Sequence, residues 1–170
     1  MDWAWQKGRK EWTSVGGIVT YGPKGIRYEA DPRHAEIVVE SMKLTDAKPV
    51  GSPGWKDESE DEGIALEGEE RTAYRALSAR INYLAQDRPD IQYQAKEICR
   101  QMQNQRESDW AKKKRHGRYL RGCMRVLYVF KWQERPSTLS AHTDSNWGGS
   151  INSRRTTRAG GITHGSHQLR

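Results

Sequence analysis

The chain has 170 residues, 34% of them hydrophobic and 30% charged, with 29 Lys plus Arg against 22 Asp plus Glu and a net charge of +7. That length suits one domain or two small ones, and the low apolar share argues against an extensive independent core. The longest unbroken apolar run, Val126 to Phe130, is far too short for a bilayer, and Met1 to Lys7 holds no secretory apolar stretch, so no membrane partner is expected. Cys99 and Cys123 make no disulfide framework, and an intracellular setting, cytoplasmic or nuclear, is expected.

The first residues are polar and rich in Trp. Val15 to Tyr21 and Gly25 to Glu29 then flank the turn signal Gly22-Pro23-Lys24, which predicts a β-hairpin. Asp31-Pro32 predicts a helix start, because Asp accepts from free backbone N–H groups and Pro is preorganised for the first turn. Ala35, Val38, Val39 and Met42 fall on one side of that helix, which should end near Leu44. Lys56 to Glu70 holds eight acids and one base, and reads as a solvated, mobile linker.

Helical spacing is clearest in the middle. Tyr74, Leu77, Ile81 and Leu84 predict an amphipathic helix from about Glu70 to Gln86. Asp87-Arg88-Pro89-Asp90 breaks it and starts another, with Ile91, Ala95, Ile98 and Met102 as its stripe. The short link favours mutual packing of the two stripes over an open groove for a partner helix. A third helix should start at Ser108 as cap and stop at Gly122, with Gly117 weakening it by roughly 1 kcal/mol relative to Ala. Arg125 to Trp132 reads as a strand, as do Thr138 to Thr143 and Thr156 to His164. The chain stops at Arg170 just as a further segment begins, an odd place for a domain to end.

Seven Trp and seven Tyr stand beside one Phe. Such rings join a flat apolar body to a polar edge. Base stacking is one use, and packing at a domain edge is the plainer and favoured one. Arg71 to Arg135 carries 16 Lys or Arg and 6 Asp or Glu. Its densest cluster is Lys112-Lys113-Lys114-Arg115, continued by Arg118 and Arg121. Cations on a helical face release counterions from phosphates, so this region points to nucleic acid; a solubilising surface is the even alternative. Asp144 could hold a divalent cation at a strand end, but no acid follows it, and by itself a turn-forming role is favoured. The spacing of His164 and His167 could bind a metal; a polar hairpin turn is favoured.

The motif order is more specific than any single motif. Tyr74-Arg75-Ala76-Leu77, Ile81-Asn82-Tyr83-Leu84-Ala85 and Arg88-Pro89-Asp90-Ile91 are followed by Trp110-Ala111 through Arg118-Tyr119-Leu120-Arg121-Gly122, then by Thr143-Asp144-Ser145-Asn146-Trp147-Gly148-Gly149 and Arg155-Thr156-Thr157-Arg158-Ala159-Gly160-Gly161. With Asp31-Pro32-Arg33-His34 and Lys48-Pro49-Val50 upstream, this order resembles the Pol polyprotein of copia-type LTR retrotransposons over residues 9 to 170. The resemblance implies an α+β chain. Residues 1–55 would be the end of the reverse transcriptase palm and the start of its thumb, with an N-terminal hairpin and helix. Residues 56–70 would be the acidic linker, 71–137 the helical thumb and connection, and 138–170 the first antiparallel strands of a truncated RNase H-like domain. Asp144 would map to that domain's first metal-binding carboxylate, with Mg²⁺ as the family's ion, and Lys112, Lys113, Lys114, Arg115, Arg118 and Arg121 would grip an RNA–DNA hybrid or DNA duplex. The family's Tyr-x-Asp-Asp motif and later RNase H acids are absent, and His116-Gly117 stands where it usually has two apolar residues. The expectation is an inactive, at most duplex-binding fragment that holds no Mg²⁺ stably and whose partners include the missing palm and RNase H segments. The alternatives are a retroelement-derived non-enzymatic nucleic-acid-binding protein and a helical protein-interaction adaptor.

Overall fold

The computed structural model describes residues 4–6, 9–14, 16–54, 63–146 and 156–169, and for 4–6, 9–12 and 14 the backbone alone. Most of the acidic run therefore lies outside the described residues, as do Trp147-Gly148-Gly149 and Arg154-Arg155. The architecture is α+β, with four helices and two antiparallel sheets among the described residues.

The predicted hairpin is present as β3 (Gly17–Gly22) and β4 (Gly25–Ala30), and Gly25 takes a positive φ of 137° beside the turn. It lies within a larger sheet. The polar Trp-rich start supplies β1 (Ala4–Gln6) and β2 (Arg9–Ser14), and β5 (Leu127–Lys131) closes the other side, giving the order β1-β2-β3-β4-β5. Ile26 pairs with Phe130 and Tyr28 with Tyr128, so residues on either side of the acidic stretch share one sheet. Arg125 beside β5 forms an ion pair with Glu29, itself only 4% exposed.

Helix α1 (Pro32–Ser41) starts as predicted: the Asp31 carboxylate accepts from the Arg33 N–H at 3.0 Å. Helices α2 (Gly68–Leu84), α3 (Pro89–Arg100) and α4 (Glu107–Gly122) follow. The α2 and α3 stripes meet in one core with Val38 and Val39 of α1 and Leu120 of α4. Each fully buried Leu, Ile or Val contributes roughly 1.5–3 kcal/mol. Among the described residues, eight polar or charged side chains are buried as well. The acidic segment ends anchored: Ala65 bridges to Arg106, and Leu66 is 5% exposed in the core.

Two local expectations change. Asp109 takes over the capping expected of Ser108: its carboxylate accepts from the Arg106 N–H at 2.9 Å, while the Ser108 hydroxyl has no partner among the described residues. Three residues into the helix, the longer reach of Asp109 meets a free N–H that Ser108, already inside the first turn, cannot. Gly117 is used for close approach. A Cβ there would lie 2.6 Å from Leu44 Cδ1, so the missing side chain lets α4 settle against the loop after α1.

The second sheet has β6 (Leu139–Asn146), β7 (Thr157–His164) and β8 (His167–Gln168) in that order. All eight residues of β6 are exposed. Lys96 of α3 reaches this sheet, donating to the Thr157 hydroxyl at 2.8 Å.

Candidate nucleic-acid interface

Helix α4 carries the densest cations because one side of it packs inward and the rest faces solvent. Lys114 and Arg121 are exposed, and Lys112, Arg115 and Arg118 are partly exposed. Two of these also tie down the loop after α1: Arg118 Nε donates to the Lys48 carbonyl at 2.7 Å and Arg121 Nε to the Thr45 carbonyl at 2.5 Å. Lys112 lies 3.7 Å from the Asp109 carboxylate.

Lys113 does not belong to this face. It is 0% exposed, and its Nζ donates to the Tyr74 carbonyl at 2.6 Å and the Ser78 hydroxyl at 2.8 Å. Four consecutive cations on a helix span more than a full turn, so one had to face α2. Burial pushes its amine down to about 7, against the smaller opposing pull of Cys99 and Asp109. One turn on, His116 is also 0% exposed, and neither ring nitrogen has a hydrogen-bond partner among the described residues. Burial holds its imidazole at about 4, with the Arg88 charge adding to the effect.

The polar residue that sequence reasoning passed over is Arg88, 1% exposed. Its guanidinium binds both Asp90 oxygens at 2.8 and 2.7 Å, and donates to the Met124 and Cys123 carbonyls at 3.1 and 2.9 Å. Tyr119 of α4 donates to the same Asp90 at 2.9 Å. Despite partial burial, which pushes it up, the Asp90 carboxyl is held below its ordinary range by Arg88. The signal was the Arg-Pro-Asp spacing itself: Pro at the first helical position puts Asp90 in the first turn, two residues from Arg88.

Asp144 lies within β6, opposite Ala159, and not at the strand's end; continuous pairing from Leu139 to Asn146 carries the strand past it. Its Oδ1 accepts from the Ser145 N–H at 2.8 Å. No group of three or more His, Cys, Asp or Glu side chains able to hold a metal occurs among the described residues. Mg²⁺ chemistry on a phosphodiester needs several convergent oxygen ligands, so the described donor set does not fit the ion the family resemblance implies. His164 and His167 flank the β7–β8 turn and fasten it to the end of β5 and the chain that follows. His164 Nε2 lies 3.2 Å from the Pro136 carbonyl and His167 Nε2 2.7 Å from the Lys131 carbonyl. No described helix is long and apolar enough to cross a membrane.

No family model matches the chain, and no solved structure matches it. It is similar to the uncharacterized mitochondrial protein AtMg00810 of Arabidopsis thaliana, with 26% identity over 136 residues, 79% of this chain and 55% of that protein. The chain thus spans about half the length of the curated relative it matches. Together with the ordered motifs, this distant similarity supports a retrotransposon-related origin for the chain.

Proposed function

We propose that the chain is a piece of a reverse transcriptase/RNase H polyprotein, and that its own contribution is to hold a nucleic-acid duplex. The parent activity would be RNA-directed DNA polymerisation with ribonuclease action on the RNA–DNA hybrid. The observation that carries the reading is α4, whose inner side is locked into the core while Lys112, Lys114 and Arg115 remain at the surface. A rigid helix presenting cations favours phosphates, and each phosphate contact releases condensed counterions. The isolated Asp144 favours a non-enzymatic role for this piece. Because the α2 and α3 stripes pack against each other, they offer no groove for an adaptor helix.

Replacing Lys112, Lys114 and Arg115 together with Ala is expected to weaken binding to a DNA duplex and to an RNA–DNA hybrid. The slope of log affinity against log salt should fall by about 2 to 3, since each phosphate contact contributes about 0.9. Lys113→Met should leave that slope unchanged. Anisotropy titrations at several salt concentrations read both, and a triple variant with the parental slope would remove α4 from the interface. Incubated with Mg²⁺ and a labelled RNA–DNA hybrid, the chain is expected to leave the hybrid intact on a denaturing gel. Cleavage abolished by Asp144→Ala would overturn that expectation.

A further inference from the structure

The two sheets end on strands whose outer sides pair with no other described strand. These edges are not alike. β1 and β8 are three and two residues long, too short to receive much of a further strand. On β5 the last carbonyl, that of Lys131, already meets His167 Nε2 at 2.7 Å. β6 is eight residues long, pairs with β7 without a bulge from Leu139 to Asn146, and is exposed at every residue. It contains no Lys and no Pro, the residues that most often blunt an open edge.

The hydrogen bonds of β7 show which residues of β6 face outward. The Ile162 carbonyl accepts from the Leu169 N–H at 2.7 Å, so the backbone of Ile162 is turned toward β8 and away from β6. Ala141, its register partner, is therefore turned away from β7, and by alternation so are Leu139, Thr143 and Ser145. No described residue hydrogen-bonds the outward backbone groups of Leu139, Ala141 or Thr143. The outward N–H of Ser145 is held by its neighbour, the Asp144 carboxylate, at 2.8 Å. A row of backbone donors and acceptors in this condition is a template for another strand.

The residues of β6 complement a second β6 running antiparallel. With Thr143 opposite Thr143 of the second copy, the outward backbones exchange N–H···O bonds about a two-fold axis. Ser140 then faces Asn146, Ala141 faces Ser145 and His142 faces Asp144, each pair occurring twice. His142 and Asp144 share one face of β6, and they fall in a pair that makes no backbone bonds, where Cα atoms approach to about 4.5 Å and side chains meet. The Asp144 carboxylate would exchange the Ser145 N–H for the imidazole of the second copy, leaving that N–H to the Ala141 carbonyl. Centring the register on His142 or on Asp144 instead sets like against like. We propose that β6 is a dimerisation edge, joining two copies of this chain antiparallel about Thr143 through reciprocal His142–Asp144 pairs. Pairing along one strand is a small interface, so the dimer is weak and reversible. It uses neither α4 nor a nucleic acid, and it stands or falls apart from the duplex grip.

Sedimentation equilibrium of the whole chain over a wide concentration series tests this. The parental chain should pass reversibly from monomer to dimer. Thr143→Pro removes an N–H that faces outward, so β7 loses no bond while the dimer should be abolished. Circular dichroism confirms that each variant is folded. His142→Asp should weaken association by at least about fivefold, because carboxylates then oppose each other at two places in the dimer. Asp144→His should weaken it as well. The two substitutions combined restore the pairing in swapped order and should return the affinity to within about twofold of the parent. A parental chain that stays monomeric at every concentration would overturn the proposal, as would a Thr143→Pro variant that still dimerises. A combined variant no better than His142→Asp alone would overturn the register. A dimer kept in Thr143→Pro and lost in Tyr21→Leu with Trp132→Leu would place the contact on the five-stranded sheet and sink the β6 edge.

Discussion

Arg88→Ala is expected to cost about 3–5 kcal/mol of folding stability. The guanidinium sits where α3 begins and α4 ends, and it satisfies four acceptors at once: both oxygens of Asp90 and the carbonyls of Cys123 and Met124. Truncation would leave a half-buried carboxylate without its cation, and two carbonyls without their donor. A group stranded in this way costs its full desolvation, which exceeds the net worth of the bond it made. Arg88→Lys should recover only part of the loss, because a single ammonium cannot reproduce the planar fork. Urea titration followed by circular dichroism measures both variants. A loss below about 1 kcal/mol for Arg88→Ala would mean that this network does not join α3 to α4.

The second large effect is a rise of stability with pH between 5 and 9. In the unfolded chain His116 takes its proton near 6.5, whereas the folded chain holds it to about 4. Above 6.5 the imidazole is neutral in both states and nothing is lost. As pH falls from 6.5 toward 4, the unfolded state binds a proton that the folded state refuses, and stability drops by on the order of 3 kcal/mol. Lys113 acts higher up. Its ordinary value is 10.5 and its folded value about 7, so stability falls as pH drops from 10.5 to 7 and is flat below. Asp90 is held below its ordinary 3.8 and acts only in stronger acid, where its stabilisation is lost as pH falls. Lys113→Met should flatten the upper slope, since Ser78 Oγ still donates to the Tyr74 carbonyl at 2.8 Å without the amine. His116→Leu should flatten the lower slope and raise stability at pH 5. Urea midpoints at pH 5, 7 and 9 decide it. A parental midpoint independent of pH, or a double variant that keeps the slope, would show that neither group is buried as described.

The helical part was legible because its signals are local. The Tyr74 to Leu84 and Ile91 to Met102 stripes, the Asp31-Pro32 start and the Gly122 stop each act within a few residues, and all four appear in the fold. The Lys112–Arg115 cluster was legible as charge and misread at Lys113, because a run of like residues does not show which of its members faces inward. Strands β1 and β2 were missed. β1 is three residues long and β2 sets three charged residues before its single Trp, so both carry little apolar signal; β2 is held by pairing with β3, and β1 by pairing with β2.

Charge, residue periodicity, turn signals and motif order come from local chemistry, and they sufficed for the four helices, the strands β3 to β7, the basic character of the chain and its retrotransposon-related origin. The pairing of β4 with β5 joins residues about a hundred positions apart, and no local preference encodes it. The burial of Lys113 against Tyr74 and Ser78 of α2, and of Arg88 against Asp90 and the carbonyls that follow α4, likewise depends on helices brought together from apart in the chain. Only the tertiary structure decides these things, because the cost of burying a charge and the exposure of a ring depend on neighbours that the chain brings together from far along its length.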